Sequence, residues 1–442
     1  MKSVLIIGGG VAGITAAYHL SKSGLNVRIL ETTNSLGGRI TALFDSNSDE
    51  MIDNGQHAMM TAYHTFLSML DDCGASDLLN IQKYLQVSYL DINHKKTRLF
   101  TGYLPGKAGF VLGFLMLGGI SLKSKISIIK LMKLVEKGSL GSAGQNCQEF
   151  LTQNNQGSDA ITRFWEPFVI ATMNCRLNQA SAGILINILR RAFIEDLNNS
   201  KLVFPASDLK EIIKPVVKKI TDNNTDIIYN CKADKLLNEN NKCIGVESAK
   251  GEKFFADFII STLPPYALKK IIPDELSNEF DYLSKIIYSP IVSVYLWTVQ
   301  EIISEDFAAA LGTDIQWIFN RTKLIKKRNS DTYKYSYSIT ISSADKIAGL
   351  KQSEILSLVM NDFKKLISDF DESWVKHSRI ITEKFATFIA NPETEKIRPD
   401  CKTALDNFFL AGDWTNTKLP ATIEGASQSG KVAAELILEL LN

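Results

Sequence analysis

The stretch VLIIGGGVAGITAAYHLSKSGLNVRILE at residues 4–31 constrains the fold more than any other part of the chain. Residues 4–7 form an apolar run that is too short for a helix and stops at glycine, which predicts a buried parallel strand. A helix follows and ends at Gly24, and residues 27–30 form a second strand that ends at Glu31. Strand, turn, helix, strand and acid in this order predict a dinucleotide-binding unit in which Glu31 holds ribose hydroxyls. An ordinary βαβ unit is the alternative.

The turn of this unit matches the pattern G-x-G-x-x-G with Gly8, Gly10 and Gly13. Gly8 is predicted to make the tight turn, Gly10 to let a pyrophosphate approach the backbone, and Gly13 to let the helix pack closely on the strand. The first helical N–H groups, around Val11 and Ala12, lie at the positive end of the helix dipole. They are therefore predicted to form a binding site for phosphate oxygens.

Composition excludes several classes of protein. The 49 Lys and Arg residues balance 48 Asp and Glu residues, so no basic excess exists to neutralise a nucleic acid. The six cysteines form neither C-x-x-C nor a zinc spacing, which predicts free thiols in a reduced cytoplasmic protein without a metal site. No signal peptide is recognisable, and no apolar run reaches the roughly 18 residues of a transmembrane helix.

Gly37, Gly38 and Arg39 follow Glu31 at short range, in the sequence TTNSLGGRITA at residues 32–42. An acid, a short spacer and GGR resemble the pattern of the flavin amine oxidase and carotenoid desaturase superfamily. The resemblance implies that these three residues contact the diphosphate of FAD, which favours FAD over NAD as the cofactor. A loop with an exposed arginine is the alternative.

Residues 408–442 are predicted to form a strand, the pair Gly412 and Asp413, a turn and an amphipathic helix. This order resembles the second FAD segment of the same superfamily. The resemblance implies that Asp413 bonds the ribityl or phosphate region of FAD. It also implies that the helix start, at Thr422 and Ile423, points at the pyrimidine edge of the flavin, where a helix dipole stabilises the negative charge of the reduced ring. A plain strand end followed by a turn acid is the alternative.

Residues 51–57, MIDNGQH, should run beside the flavin if the resemblance holds, with Gly55 and Gln56 in contact with the cofactor. His57 is the candidate proton donor, because a histidine with its ordinary pKa of about 6.5 can donate near neutral pH. A satisfied buried imidazole is the alternative for His57. Asp53 is a candidate for orienting the histidine, although a cap on the following turn is the interpretation we favour for it.

Residues 108–122 form an apolar run without charge, and Lys123, Lys125, Lys130, Lys133 and Lys137 follow it with only one acid among them. A basic apolar region of this kind is typical of a membrane-surface element. A core helix with a solvated lysine face is the alternative. If lipid contact is direct, we expect the protein to be peripheral on the inner face of the plasma membrane.

Several further stretches resemble one family within the superfamily, the squalene-associated FAD-dependent desaturases, whose members are hydroxysqualene dehydroxylases. The resemblance covers nearly the whole chain and is weakest at about 299–400. The matching stretches are DNGQH at 53–57, FWEPF and NCRLNQASA within 164–182, LVFP at 202–205, and AGDWTNTKLPATIEGA at 411–426. Within them, helices are predicted over 164–193 with breaks at Pro167 and around Asn178 and a cap at Ser181.

The resemblance implies an α/β fold: a discontinuous, glutathione-reductase-like FAD-binding domain with a Rossmann-like sheet, interleaved with an α+β substrate domain. The predicted FAD-binding domain comprises residues 1–80, 205–268 and 396–442. The predicted substrate domain comprises 81–204 and 269–395, with a helical part at about 105–204 and an antiparallel sheet within 281–395.

The resemblance also implies a reaction, the reductive removal of the hydroxyl group of hydroxysqualene to give squalene, a hopanoid precursor. The partners would then be a long-chain isoprenoid substrate and an electron donor that the sequence does not identify. The alternatives are a carotenoid or phytoene-type desaturase, a protoporphyrinogen or amine oxidase, and a flavoprotein without catalysis that assists a synthase.

Overall fold

The computed structural model describes residues 2–142, 144–326 and 333–441. The strands, in chain order, are β1 (Ser3–Ile7), β2 (Asn26–Leu30), β3 (Ala42–Asp45), β4 (Glu50–Asp53), β5 (Met59–Met60), β6 (Leu79–Ile81), β7 (Gln86–Asp91), β8 (Lys96–Phe100), β9 (Leu202–Pro205), β10 (Asp226–Ile228), β11 (Ala233–Glu239), β12 (Lys242–Ser248), β13 (Lys253–Phe255), β14 (Phe258–Ser261), β15 (Tyr288–Thr298), β16 (Phe307–Leu311), β17 (Trp317–Asn320), β18 (Tyr335–Ile341), β19 (Val375–Phe388) and β20 (Phe408–Leu410).

The helices, in chain order, are α1 (Val11–Ser21), α2 (His64–Asp72), α3 (Gly106–Met116), α4 (Leu122–Glu136), α5 (Cys147–Gln153), α6 (Ser158–Ala160), α7 (Glu166–Met173), α8 (Ala182–Leu189), α9 (Leu209–Asp222), α10 (Pro265–Leu268), α11 (Arg321–Leu324), α12 (Gln352–Leu366), α13 (Pro392–Ile397) and α14 (Ile423–Leu441).

A parallel sheet takes its strands from both ends and from the middle of the sequence. Its order is β10, β2, β1, β14, β20, and each neighbouring pair is parallel. The apolar residues of β1 are fully buried, because this strand lies at the centre of the sheet and is covered on both faces. The predicted α/β fold with a Rossmann-like parallel sheet is confirmed. The domain boundaries given above stay a prediction.

A second, larger sheet has the order β19, β15, β18, β17, β16, β7, β8, and is antiparallel except between β16 and β7. Strands β15 to β19 come from the region predicted to form an antiparallel sheet. Strands β7 and β8 extend that sheet at one edge, and the sequence alone did not predict their place there. The apolar positions Val292, Val294 and Leu296 of β15 alternate and pack with β18 and α12 in one core. The opposite face carries Tyr295 and Trp297 of β15 and the serine and threonine side chains of both strands.

The helical region contains two π-helical segments, Ile161–Trp165 and Arg190–Ile194. The break predicted at Pro167 is wrong, since α7 follows directly on the first π segment with Pro167 in its first turn. The π-helical segment just before it already interrupts the regular helical hydrogen bonding, which accommodates a proline without an N–H. Helix α7 ends at Asn174, which adopts left-handed backbone angles, and α8 begins at Ala182, so the break predicted around Asn178 is confirmed. The predicted cap is confirmed: the Ser181 hydroxyl accepts hydrogen bonds from the first turn of α8.

The apolar and basic residues 108–137 form the two separate helices α3 and α4 rather than one element. Ile128, Leu131 and Val135 of α4 are buried, while most of its lysines are exposed. Across the described ranges, no helix combines the length and the apolar composition needed to cross a bilayer.

Candidate functional site

The glycines of the turn between β1 and α1 have different surroundings. Gly8 has a φ of +103°, and a Cβ added there would lie 2.8 Å from the Oγ1 atom of Thr262. A Cβ added at Gly13 would lie 2.1 Å from the carbonyl oxygen of Gly8. A Cβ added at Gly10 meets no atom within 4 Å. The protein itself therefore requires Gly8 and Gly13, whereas the space at Gly10 is open to a ligand.

The start of α1 and the end of β2 meet at this open space. Gly10 is the N-cap of α1, and the first turn has neither a side-chain cap nor an acid, so the N–H groups of Val11 and Ala12 keep their positive end of the dipole. The buried carboxylate of Glu31 accepts hydrogen bonds from the Gly9 N–H at 2.8 Å and from the Thr33 N–H at 2.7 Å. The Thr33 hydroxyl donates a third hydrogen bond to Glu31 at 2.9 Å, so of about four acceptor sites one remains for a ribose hydroxyl.

The GGR segment packs on the same turn. The Gly37 N–H donates to the carbonyl oxygen of Gly9 at 2.8 Å, and Gly38 lies beside the Cα atom of Gly10. Arg39 donates from Nη2 to Oδ1 of Asp413 at 2.7 Å. The Arg39 side chain is surrounded by protein yet 44% exposed, which is what a residue lining an internal cleft shows.

The C-terminal segment reaches the cleft through strand β20. The N–H of Gly412 donates to the Oγ atom of Ser429 at 2.7 Å, so the strand end is fixed to α14. The Thr422 hydroxyl accepts a hydrogen bond from the Gly425 N–H at 3.1 Å and thus caps α14, which begins at Ile423. This cap fixes where α14 begins, and the direction of the helix start toward the flavin stays a prediction.

A buried ion pair follows this cap. Glu424 is only 1% exposed and pairs with Arg191 at 2.5 Å. The same carboxylate accepts hydrogen bonds from the backbone N–H groups of Thr65 and Phe66, both at 3.1 Å, in the first turn of α2. Burial raises the pKa of Glu424, while the hydrogen bonds and the Arg191 charge oppose that rise.

A small, mainly apolar cavity lies beside the start of α14. Its wall includes Met60, Ile188, Ala192 and Leu419, and the Arg191–Glu424 pair borders it. Tyr63 also lines the cavity, with its hydroxyl within hydrogen-bonding reach of the Thr422 side chain. Burial raises the pKa of Tyr63, and the charge of Glu424 raises it further. The hydroxyl therefore stays protonated and is a hydrogen-bond donor.

Sequence reasoning did not find Tyr63, Arg191 or Glu424. The signal for Arg191 was present as two adjacent arginines, at 190–191, in an otherwise apolar helical stretch. Such a charge is costly unless it is paired. Its partner, 233 residues further along the chain, could not be read from the sequence.

Asp53 lies at the start of α9 rather than in the cleft. Its Oδ1 atom accepts a hydrogen bond from the Leu209 N–H at 2.9 Å, and its carbonyl oxygen accepts one from the Tyr295 hydroxyl at 2.9 Å. Burial raises the pKa of Asp53 to about 7, and the neighbouring Asp208 adds to the rise. Asp53 therefore has a structural role, but it caps the first turn of α9 rather than the turn that follows it in the sequence.

His57 lies close to Arg39, on the cleft. Its Nδ1 atom is 2.8 Å from the carbonyl oxygen of Gly55, which fixes the tautomer with the proton on Nδ1. Burial lowers the pKa of His57, and the charge of Arg39 lowers it further. The imidazole is therefore neutral, its one N–H is already donated to Gly55, and its other nitrogen, Nε2, is an acceptor. This arrangement weakens the hypothesis that His57 is the proton donor.

Gly55 and Gln56 lie between His57 and the larger sheet. A Cβ added at Gly55 would lie 3.0 Å from the Oγ atom of Ser293 on β15, and the Gln56 amide donates to the His57 carbonyl oxygen at 3.3 Å. This segment thus joins the cleft to the larger sheet.

The residues gathered here fit FAD. The open space at Gly10 gives room for a pyrophosphate, and the uncapped start of α1 supplies N–H donors. The remaining acceptor site of Glu31 suits a ribose hydroxyl, and the partly exposed Arg39 supplies a cation. Within the described ranges, no group of three or more histidine, cysteine, aspartate and glutamate side chains is arranged to hold a metal ion.

Comparisons with known proteins extend over the whole chain. A family model described as flavin containing amine oxidoreductase matches residues 11–438. The chain is 26% identical to a hydroxysqualene dehydroxylase from Sinorhizobium fredii, over 100% of this chain and 99% of that protein. It is 21% identical to a 15-cis-phytoene desaturase from Synechococcus elongatus, over 98% of this chain and 95% of that protein.

Among solved structures, an oxidoreductase from Methanosarcina mazei is similar with a TM-score of 0.76 at 18% identity, and the match covers 99% of this chain and 100% of that one. At this identity the likeness concerns the fold alone.

Proposed function

Because the chain belongs to the family of flavin-containing amine oxidoreductases and is an FAD-dependent oxidoreductase, we propose that it removes the hydroxyl group of hydroxysqualene reductively to give squalene. The observation that carries the proposal is the likeness to a hydroxysqualene dehydroxylase over essentially the full length of both chains. The cavity beside the start of α14 is far smaller than a long isoprenoid, but its mainly apolar wall suits hydrocarbon.

The reaction exchanges a carbon–oxygen bond for a carbon–hydrogen bond. The hydroxyl group takes up one proton and leaves as water, and the carbon that held it takes up one hydride. Bound FAD, in its reduced form, supplies the hydride. The chain's own residues must therefore place the hydroxyl group, deliver a proton to its oxygen, and keep water from the carbon.

We propose Tyr63 as the proton donor because its side chain lines the cavity, and because the neighbouring Arg191 charge opposes the rise that burial causes in its pKa. The phenolate left behind would lie near the cation of Arg191, which borders the same cavity. Glu424 holds Arg191 in place and fixes α2, the helix that follows Tyr63. In this proposal His57 accepts rather than donates a hydrogen bond, and Asp53 caps α9.

The cofactor contacts are part of the same proposal. They involve the residues predicted from the sequence, namely Gly8, Gly10, Val11, Ala12, Gly13, Glu31, Gly37, Gly38, Arg39, Gly55, Gln56, Gly412, Asp413, Thr422 and Ile423.

A phytoene-type desaturase is the second candidate, and the likeness to a 15-cis-phytoene desaturase favours it over other flavin chemistry. The two candidates differ in redox direction, because desaturation takes a hydride from the substrate whereas dehydroxylation delivers one. Anaerobic photoreduction of the purified flavoprotein, followed by addition of hydroxysqualene and mass spectrometry of the products, distinguishes them. Squalene from reduced enzyme alone supports the proposal, and reduction of oxidised flavin by phytoene contradicts it.

A further inference from the structure

Helix α3 buries two glycines together with Phe114, and it exposes other apolar residues on its opposite side. A Cβ added at Gly109 would lie 1.8 Å from the carbonyl oxygen of Leu104, and one added at Gly113 would lie 2.4 Å from that of Phe100, so the helix rests directly on backbone. Met116 is 60% exposed, and Leu122, at the start of α4, is 65% exposed. Burying these glycines leaves the apolar side chains to solvent, and an exposed apolar face of this kind marks an interaction site.

Positive charge surrounds this face. Lys123, Lys130, Lys133 and Lys137 are exposed, and none of them forms an ion pair within the part of the chain that the structure describes. The single acid of the region, Glu136, is already paired with Lys107 at 2.8 Å. A basic rim around exposed apolar side chains complements an anionic lipid surface. A second copy of the chain would instead bring these lysines together, which like charges oppose.

An aromatic seam leads inward from α3 to the cavity. The ring of Phe110 lies 5.3 Å from that of Phe193, which in turn lies 5.9 Å from that of Phe168. Phe193 belongs to the π-helical segment Arg190–Ile194, and its neighbour Ala192 lines the cavity. Such π segments occur often at functional sites. The exposed face of α3 is thus continuous, through apolar side chains, with the candidate active site.

We propose that the α3–α4 surface, formed by Met116, Leu122 and the four unpaired lysines, docks on an anionic lipid bilayer, with the aromatic seam placed between the lipid and the cavity. The identity of the molecule drawn from the lipid rests on the proposed function, whereas the docking does not.

Flotation with lipid vesicles tests the docking without turnover. The wild type should float with vesicles of phosphatidylcholine and phosphatidylglycerol, and a variant with Lys123, Lys130, Lys133 and Lys137 changed to Gln should bind them at least about tenfold more weakly. Lys125 is left unchanged, because it donates to the Leu115 carbonyl oxygen at 2.7 Å and so holds α4 to α3. The matched control changes Lys242, Lys269, Lys270 and Lys402 to Gln, which removes the same charge elsewhere and should leave binding unchanged.

A second variant, Met116→Ser with Leu122→Ser, should also reduce flotation although its charge is unaltered. Equal binding by the wild type and both variants would overturn the proposal. So would a dimer in sedimentation that the serine variant abolishes, because a second copy would then cover this face.

Turnover separates the docking from the proposed function. With substrate dissolved in anionic vesicles, the lysine variant should lose most of its rate, and with substrate in detergent micelles it should match the wild type. Failure of every protein to turn over in micelles would contradict the proposed function while the flotation result stands.

Discussion

Arg39 donates a hydrogen bond to Asp413 at 2.7 Å, across 374 residues of sequence, and so joins the two segments predicted to hold FAD. The Asp413 side chain is 5% exposed and the Arg39 side chain 44% exposed, so the pair lies at the wall of the cleft. Each residue therefore orients the other toward the cofactor site.

We expect Asp413→Ala to raise the dissociation constant for FAD by at least about tenfold, because it removes a charge-assisted hydrogen bond and leaves Arg39 without its partner. Titration of the apoprotein with FAD, followed by flavin fluorescence, measures the change. Asp222→Asn, which removes an exposed carboxylate of α9, is the control. Equal affinity in the two variants would contradict this role for the pair.

Substitutions at two glycines of the first turn should affect different properties, one the binding of FAD and the other the stability of the apoprotein. Gly10→Val should abolish FAD binding while the apoprotein stays folded, because the added side chain enters open space. Gly13→Val should destabilise the apoprotein itself, since its Cβ would lie 2.1 Å from the Gly8 carbonyl oxygen. Flavin absorbance and thermal unfolding of the apoprotein distinguish the two. A Gly10→Val protein that purifies with FAD would refute the assignment of this space to the pyrophosphate.

Removing Arg191 should strongly destabilise the fold. Arg191→Met leaves the carboxylate of Glu424 buried without a counter-charge, and we expect the free energy of unfolding to fall by about 3–5 kcal/mol. Lys364→Met, which breaks the exposed pair with Glu372, should change it by less than about 1 kcal/mol. Urea unfolding measures both variants. A small effect at Arg191 would mean that water or another cation reaches Glu424.

The pH dependence of stability should report Asp53. Its pKa is about 7 in the folded protein against 3.8 as the ordinary value, so the folded state holds its proton more tightly. The stability that neutral Asp53 contributes is complete below the unfolded pKa and is lost as the pH rises through the folded pKa. Asp53→Asn keeps an oxygen acceptor for the Leu209 N–H but does not titrate, so it should be more stable than the wild type by about 1 kcal/mol or more at pH 8. Urea unfolding at pH 8 and at acid pH measures the difference in stability between the variant and the wild type. The gain should be absent at acid pH, and an equal difference at the two pH values would argue against the shifted pKa.

Tyr63→Phe should slow single-turnover squalene formation by about 10²-fold or more if Tyr63 delivers the proton. His57→Ala should slow it by less than about tenfold, because a neutral imidazole with its N–H donated to Gly55 is a poor acid. Flavin content is measured in both variants to separate binding from chemistry. The reverse order of effects would return the donor role to His57.

Local sequence patterns predicted much of the fold. The remaining features depend on contacts between residues that are far apart in the sequence. The β1–α1–β2 unit lies within 28 residues, so its turn and periodicity are visible in the sequence. The pairing of β7 with β16 and the bond between Arg191 and Glu424 join distant residues, and no local pattern encodes them. At Pro167 a local rule failed, because the preceding π-helical segment accommodates the proline. The lowered pKa of His57 likewise depends on burial and on the charge of Arg39, and both arise only in the folded chain.

The order in which the strands of the parallel sheet occur in the sequence also determines when, during translation, all parts of the predicted FAD site are present. Strand β20 and helix α14 leave the ribosome after every other strand of that sheet, and Asp413 and Thr422 leave with them. Until then β14 has an unpaired edge, and Arg39 lacks its carboxylate. A nascent chain halted before residue 408 would therefore expose an aggregation-prone edge and lack part of the predicted FAD site.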